Sequence, residues 1–263
     1  MKHTTQAVCL PTPVSDAAKA KNFLADNELV ESSRRLNLNA LASKAGFSKR
    51  SGHALPQLLF SFVMWPFLGQ RSLRMFCSES LGSFLKAGKD ALYDFLKRED
   101  LSWRTLQHWV ALAVYRNGGY DEPAMSAFVA DDTVKQRRGK KMEGVSFHYD
   151  HLEKRSVRGQ QVTTLGHVSD KGFLPLDEQI YISSKGRQGL RRAMKDGRGT
   201  TAQRWRESFD TKIKQVAAML RRAVRKGFQA SYFVADSWYG CREIIAACLA
   251  LGIVPVPRMK RGK

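Results

Sequence analysis

The chain has 263 residues, of which 43% are hydrophobic and 26% charged, a composition typical of a globular protein with one large domain or two small ones. Its formal net charge of +20 predicts a polyanionic partner, because a merely solvated surface rarely needs so large an excess. The four Cys residues are scattered without a C-x-x-C pair, which argues against a disulfide framework or a Cys-based zinc site and favours reduced cytoplasmic thiols.

Residues 1–20 are polar and contain two prolines, so we predict a flexible lead-in. Residues 21–120 have helical patterns and are expected to form a small, DNA-binding helical domain. Within it, the uncharged stretch 54–70 is shorter than the roughly 20 residues of a membrane span. It also contains Pro56 and Pro66, so we predict a buried helix and no membrane partner. The clearest helix follows Ser102 and ends at Asn117, with apolar residues at helical spacing: Leu106, Trp109, Val110, Ala113 and Val114.

Residues 121–263 change to a strand-rich pattern. The segments 126–132, 144–149, 161–168 and 174–182 predict consecutive strands of an antiparallel meander. A long helix is then expected at 203–226, followed by a strand at 231–236, a helix at 241–251 and a strand from residue 253. A meander followed by alternating helices and strands predicts an α/β fold with a mixed sheet and flanking helices.

Two acidic positions are the main candidates for chemistry. Asp131 and Asp132 end one predicted strand, and Asp236 ends another. We expect the two strand ends to lie close together, so that the carboxylates form a hard oxygen site suited to Mg²⁺ or Mn²⁺. Two alternatives stay open at this point. Asp131 and Asp132 could be turn residues bonded to the local backbone, and Asp236 could be the N-cap of the next helix.

Other polar segments are candidates for contacts with DNA. The stretch 183–201 is rich in Gly and basic residues and predicts an exposed loop that binds phosphates: Lys185, Arg187, Arg191, Arg192, Lys195 and Arg198. Trp238 and Tyr239 could stack on a splayed base or pack in the core. The segment His148 to His151 is interpreted as a solvated or DNA-facing polar strand end rather than as a metal site.

Three segments resemble the DDE transposases of bacterial insertion sequences, in particular the IS4-like and IS701-like groups. They are ADDTVKQRRGKKMEGVSFHYDH at 130–151, TLGHVSDKGFLPLDEQIYIS at 164–183 and VADSWYG at 234–240, and the likeness covers about 125–263. The resemblance implies an RNase H-like catalytic domain over 121–263 that uses Mg²⁺ or Mn²⁺ to cut and join double-stranded DNA at transposon ends. It assigns Asp132 and Asp236 as catalytic, metal-binding residues, with Asp131 as the alternative first ligand. It also implies a bacterial, nucleoid-associated protein that could form a homodimer.

One departure from the family pattern concerns the third acidic residue, a Glu on a later helix. Its signature is missing here, and Glu243 follows Asp236 too closely to replace it. The chain is therefore expected to be an N-terminal fragment that ends before the catalytic Glu and is inactive alone. The alternative is a catalytically inactive DNA-binding remnant that binds or inhibits at transposon ends. A host nuclease with the same core is a third, less favoured possibility.

Overall fold

The computed structural model describes residues 28–49, 51–70, 72–121, 125–139, 142–150, 154–183, 186 and 196–257. The chain divides into two compact units, one assigned to residues 1–40 and 47–98 and the other to residues 41–46 and 99–263. The domain limits expected from the sequence, at residues 20 and 120, stay predictions.

The first unit is helical in its described part. Its core side chains include the fully buried Leu58, Met64, Phe76 and Leu92. Ser72 begins one helix by accepting a hydrogen bond from the Met75 amide at 3.2 Å, as an N-cap residue does. The helices are α1 (Glu28–Leu36), α2 (Leu38–Lys44, which continues into the second unit), α3 (Leu55–Met64), α4 (Leu73–Glu79) and α5 (Lys89–Leu96), with 3₁₀ turns at Trp65–Leu68 and Leu81–Ser83.

The uncharged stretch forms helix α3, as predicted, but the helix is buried on one face only and a 3₁₀ turn follows it. Leu58 and Leu59 are buried, and Phe62 stacks on Phe95 of α5 with ring centroids 6.0 Å apart. The helix gives way to a 3₁₀ turn containing Pro66, because proline lacks the amide proton that a continuing helix requires. Within the described part of the chain, no helix combines the length and apolarity that crossing a membrane needs.

The second unit is a six-stranded mixed sheet with helices. Its strands are β1 (Ala127–Gln136), β2 (Ser146–Asp150), β3 (Arg155–Ser169), β4 (Gly172–Tyr181), β5 (Tyr232–Ala235) and β6 (Val254–Pro257). Its helices are α6 (Trp103–Asn117), α7 (Thr200–Glu207), α8 (Lys212–Arg225) and α9 (Arg242–Ala250).

The long strand β3 organises the sheet. It pairs antiparallel with β1, β2 and β4, while β1 pairs parallel with β5 and β5 pairs parallel with β6. Gly159 pairs with both Gln136 of β1 and Ser146 of β2, so β2 lies on the side of β3 opposite β1. β4 occupies the same side further along the strand. The predicted RNase H-like α/β fold, preceded by a helical region, is confirmed.

One face of the sheet is covered by helices. Phe128 of β1 pairs with Phe233 of β5, and both are fully buried in a core that includes Val216 and Leu220 of α8 and Ile244 of α9. Alternation places the intervening residues on the other face. That face is more open in the described part of the sheet, with Phe173, Val234, Val254 and Val256 all at least 40% exposed.

Two predicted helices differ in detail from the structure. The helix expected at 203–226 is two helices, because Thr211 caps α8 by accepting a hydrogen bond from the Lys214 amide, and the Ser208 carbonyl instead accepts from the Ile182 amide. Helix α6 is present as predicted, but of its five apolar residues at helical spacing only Leu106 is buried, while Trp109 and Val114 pack partly buried against the core. Its buried face also carries Arg104 and His108, which lie against Asp177 of β4.

A buried ionic cluster joins α6, β4, α7 and α8. The Asp177 carboxylate is 1% exposed. Its Oδ2 accepts hydrogen bonds from Nε and Nη2 of Arg222, at 2.8 and 2.7 Å. Arg104 Nε lies 3.2 Å away, and Arg104 Nη1 also reaches Glu207 at 2.7 Å. Burial alone raises the pKa of the Asp177 carboxyl, but His108 and the charges of Arg222 and Arg104 outweigh burial and lower the pKa to about 2.

Candidate active site

The candidate acidic residues meet where β1 and β5 run side by side. The parallel pairing of the two strands ends at Ala130 and Ala235, so Asp131 and Asp236 are the next residues of adjacent strands. This juxtaposition follows from the apolar runs that form the two strands, since both runs are buried against the same helices. The neighbourhood of the two strands, which the sequence predicted, is observed.

The predicted position of Asp131 and Asp132 at a strand end is wrong. β1 continues to Gln136 because β3 supplies hydrogen-bonding partners beyond the end of β5, and Asp132 pairs with Thr163 of β3. The two carboxylates therefore stand inside a paired strand. Alternation along β1 places Asp132 on the helix-covered face with Ala130, and Asp131 on the opposite, more open face.

Asp132 is held by three side chains from other elements. Its carboxylate is 15% exposed and accepts hydrogen bonds from Lys212 Nζ at 2.9 Å and from Gln161 Nε2 on Oδ2. The Tyr239 hydroxyl lies 3.5 Å from Oδ1 and donates to it. The Lys212 ammonium, at the first position of α8, thus supplies a positive charge at this carboxylate and lies 4.9 Å from the centre of the Trp238 ring.

Asp131 and Asp236 are both exposed. Oδ1 of Asp131 accepts from the Asp132 amide at 2.8 Å, the local backbone bond that the sequence left open, although within a strand rather than a turn. Oδ1 of Asp236 accepts from the Trp238 amide at 3.0 Å and so fixes the turn after β5. Asp236 is not the N-cap of α9, because Cys241 occupies that position.

Tyr239 reports on the charge of this region. The residue is fully buried, so the expectation of core packing is confirmed for it, whereas Trp238 is 51% exposed. Burial raises the pKa of the Tyr239 hydroxyl above its usual range, and the negative charges of three carboxylates add to the effect: Asp132, Asp236 and Asp131. All three carboxylates therefore contribute to a negative field around one hydroxyl.

Sequence reasoning missed Lys212 and Gln161 and misinterpreted His148. Lys212 was placed inside a continuous helix, although the preceding Asp210-Thr211 is a helix-start signal that could have marked it. His148 is 8% exposed, and its Nε2 lies 2.8 Å from the Ser146 hydroxyl. The expectation of a solvated strand end is wrong for this residue, because the side chain of His148 lies on the same, helix-covered face of the sheet as Gln161. Burial lowers the pKa of the His148 imidazole.

The predicted phosphate-binding loop falls largely on residues that the structure leaves undescribed. Lys185, Arg187, Arg191, Arg192 and Lys195 lie outside the described residues. Arg198 is described and exposed, with Nε 3.7 Å from Asp196.

Carboxylate oxygens in a negative field are donors that suit Mg²⁺ or Mn²⁺, and Asp132 already accommodates a cationic group, so the residues fit such an ion. Across the described ranges, no group of three or more His, Cys, Asp and Glu side chains is arranged to hold a metal ion. Glu243, the acidic residue that follows Asp236 in the sequence, is exposed in the first turn of α9, with its Oε2 4.0 Å from Cys241 Sγ.

Comparison with known proteins gives one family. The family model described as "DDE superfamily endonuclease" matches residues 77–262, which is more than half of the chain. Among solved structures, the chain is similar to one titled "Drosophila P element transposase strand transfer complex", at 12% identity and a TM-score of 0.30. The match covers 86% of this chain and 42% of that one. No curated protein matches the chain.

Proposed function

Since the chain belongs to the DDE superfamily of endonucleases, we propose that it is a DNA transposase of a bacterial insertion sequence, acting on double-stranded DNA. The observation that carries the proposal is the meeting of β1 and β5, where Asp132 and Asp236 both act on the Tyr239 hydroxyl. The net charge of +20 supports a polyanionic substrate.

In this proposal Asp132 and Asp236 hold the divalent ion, and Asp131 is the alternative to Asp132. A bound Mg²⁺ or Mn²⁺ supplies stabilisation of negative charge on phosphate oxygens. Gln161 and Tyr239 orient the Asp132 carboxylate through its two oxygens. Lys212 neutralises the same carboxylate when no ion is present, which limits the cost of a partly buried charge.

Metal binding is the direct test, because it can be measured without a known DNA substrate. Electron paramagnetic resonance of free Mn²⁺ measures the affinity of the purified chain. Asp132→Asn and Asp236→Asn should each weaken binding at least about tenfold, since each removes an anionic ligand. The exposed carboxylate of Asp170, in the turn after β3, provides the matched control Asp170→Asn, which should bind as the unchanged protein does. Equal Mn²⁺ affinity in all four proteins contradicts the proposed site.

A second candidate function is DNA binding without cleavage. It is supported by the described residues, in which no group of three His, Cys, Asp or Glu side chains is arranged to hold a metal ion and a lysine neutralises Asp132. Nicking of a supercoiled plasmid with Mn²⁺ separates the two functions. We expect little or no nicking by the 263-residue chain alone. Robust nicking that Asp132→Asn abolishes would instead show that the chain completes its own site, with Glu243 as the first residue to test.

The basic segment provides a test of DNA binding that does not depend on cleavage. Replacing Arg187, Arg191 and Arg192 with Gln should weaken duplex binding for all sequences alike. Each lost phosphate contact reduces the slope of log affinity against log salt by about 0.9, so the slope should fall by about 2.7. A control variant carries three Gln substitutions at exposed basic positions of α8: Lys214, Arg221 and Arg225. An unchanged slope in the first variant excludes the segment as a phosphate contact.

A further inference from the structure

Two aromatic side chains project into solvent from the short strand β2. Phe147 is 69% exposed and Tyr149 57% exposed, while the alternate residues Ser146 and His148 are buried on the helix-covered face. Both rings therefore stand on the open face of the sheet. Strands normally bury their apolar side chains and expose their polar ones, and β2 does the opposite. Exposed aromatic surface of this kind indicates a binding site.

The surroundings of these rings are basic. Phe147 pairs with Arg158 of β3, whose Nη1 donates to the carbonyls of Arg137 and Gly139 at 3.3 and 3.0 Å. These two bonds hold the Arg158 guanidinium against the chain that leaves β1. The described residues between 133 and 160 contain six Lys and Arg against two Asp and Glu. The rings thus lie within a positively charged part of the sheet, which suits a polyanion.

The spacing of the rings suits a single strand of nucleic acid. Side chains two residues apart in a β-strand are separated by about 6.6 Å along the strand. An unpaired strand can splay successive bases and lay each on a ring, whereas a duplex hides the faces of its bases inside its own stack. Stacking of this kind is tolerant of sequence, because every base has a π-face.

We infer that the open face of β2 and its neighbour β3 binds single-stranded DNA, with Phe147 and Tyr149 stacking on bases and the adjacent basic side chains contacting phosphates. The inference deepens the proposed function, because strand cleavage leaves an unpaired strand that the enzyme has to hold. A peptide strand added to the edge of β2 is the competing occupant, but it would use the backbone edge and would need neither the rings nor the positive charge.

Fluorescence anisotropy with a labelled oligothymidylate, in EDTA, tests the inference on the intact chain. Phe147→Leu and Tyr149→Leu should each weaken binding at least about 5-fold, while a duplex of equal length binds as before. The ring-preserving variants Phe147→Trp and Tyr149→Phe should retain affinity within about 2-fold. Leu249 is 64% exposed on α9, which packs on the other face of the sheet through Ile244, so Leu249→Ala is a control at an exposed apolar position and should bind normally.

Three outcomes overturn the inference: normal single-strand binding by both Leu variants, equal weakening of duplex binding by these variants, or a loss of affinity in the ring-preserving variants. The last comparison also covers misfolding, since a disrupted β2 would lower affinity whichever residue is introduced. Because EDTA removes divalent ions, the result does not depend on the Asp132 and Asp236 site. If the protein binds oligothymidylate through the two rings but Mn²⁺ binding does not depend on Asp132 and Asp236, the proposed metal site fails and the single-strand surface stands. If Mn²⁺ binding depends on these two residues but oligothymidylate binding does not depend on the rings, the single-strand surface fails and the metal site stands.

Discussion

Removal of the Asp177 carboxylate should have the largest effect on stability at a site away from the candidate active centre. Asp177 is 1% exposed, and its Oδ2 accepts from both Nε and Nη2 of Arg222, beside Arg104. Asp177→Asn keeps the shape of the side chain but removes its charge. The two guanidinium groups, whose side chains are only 10% and 19% exposed, then keep Glu207 as their remaining shared counter-ion, at 2.7 Å from Arg104 and 3.9 Å from Arg222.

The pKa of Asp177 sets the magnitude. Its value in the fold is about 2, against an ordinary 3.8, a difference that corresponds to about 2 kcal/mol of stability at neutral pH. Because the pKa is lowered by folding, this contribution is present above about pH 4 and is lost as the pH falls through about 2. Removing one partner of a buried ion pair typically costs about 3–5 kcal/mol. Asp177→Asn should therefore lower the free energy of unfolding at pH 7 by at least the roughly 2 kcal/mol that the pKa of Asp177 implies.

Urea unfolding followed by circular dichroism, at pH 7 and at intervals down to pH 2, measures both effects. The unchanged protein should lose about 2 kcal/mol more than Asp177→Asn over this range, because only the former contains the carboxyl group that becomes protonated. Asp170→Asn, at a carboxylate whose side chain is 63% exposed, is the control and should resemble the unchanged protein. An Asp177→Asn variant within about 1 kcal/mol of the unchanged protein at pH 7, with the same pH dependence, would refute the reasoning.

Three further outcomes are expected. Lys212→Met should tighten Mn²⁺ binding in the paramagnetic resonance assay, because it removes a cation that competes for the Asp132 carboxylate. Lys214 is exposed, so Lys214→Met should leave the affinity unchanged, and equal affinities of the two variants would show that no such competition exists. Gly159→Ala should destabilise the protein by about 1–3 kcal/mol in urea, since its Cβ would lie 2.6 Å from a backbone oxygen, whereas Gly82→Ala meets nothing within 4 Å and should be neutral. Burial lowers the pKa of His167, so stability should fall as the pH drops below about 6.5, and His167→Gln should reduce that slope; an unchanged slope would assign the effect elsewhere.

Local patterns in the sequence determine much of the fold. Most of the strands and the helices α6 and α9 have apolar residues at the spacing of their own secondary structure, and the positions that follow the buried runs of β1 and β5 mark Asp131, Asp132 and Asp236 as the candidate ligands. The neighbourhood of these two strands follows from the order of the elements. Such features depend on residues close together in the chain, where spacing and composition carry the information.

The surroundings of the acidic pair depend on the tertiary structure. Lys212 contacts Asp132 from 80 residues away, and Arg222 contacts Asp177 from 45 residues away. Neither charge could be assigned to its partner from the sequence, because many Lys and Arg residues are equivalent until the helices are packed on the sheet. The same long-range pairing extends β1 beyond the predicted end and buries Arg104 and His108 on a face of α6 that its apolar spacing did not predict. Burial of a polar side chain is decided by the partner it meets, and that partner is brought near only by the fold.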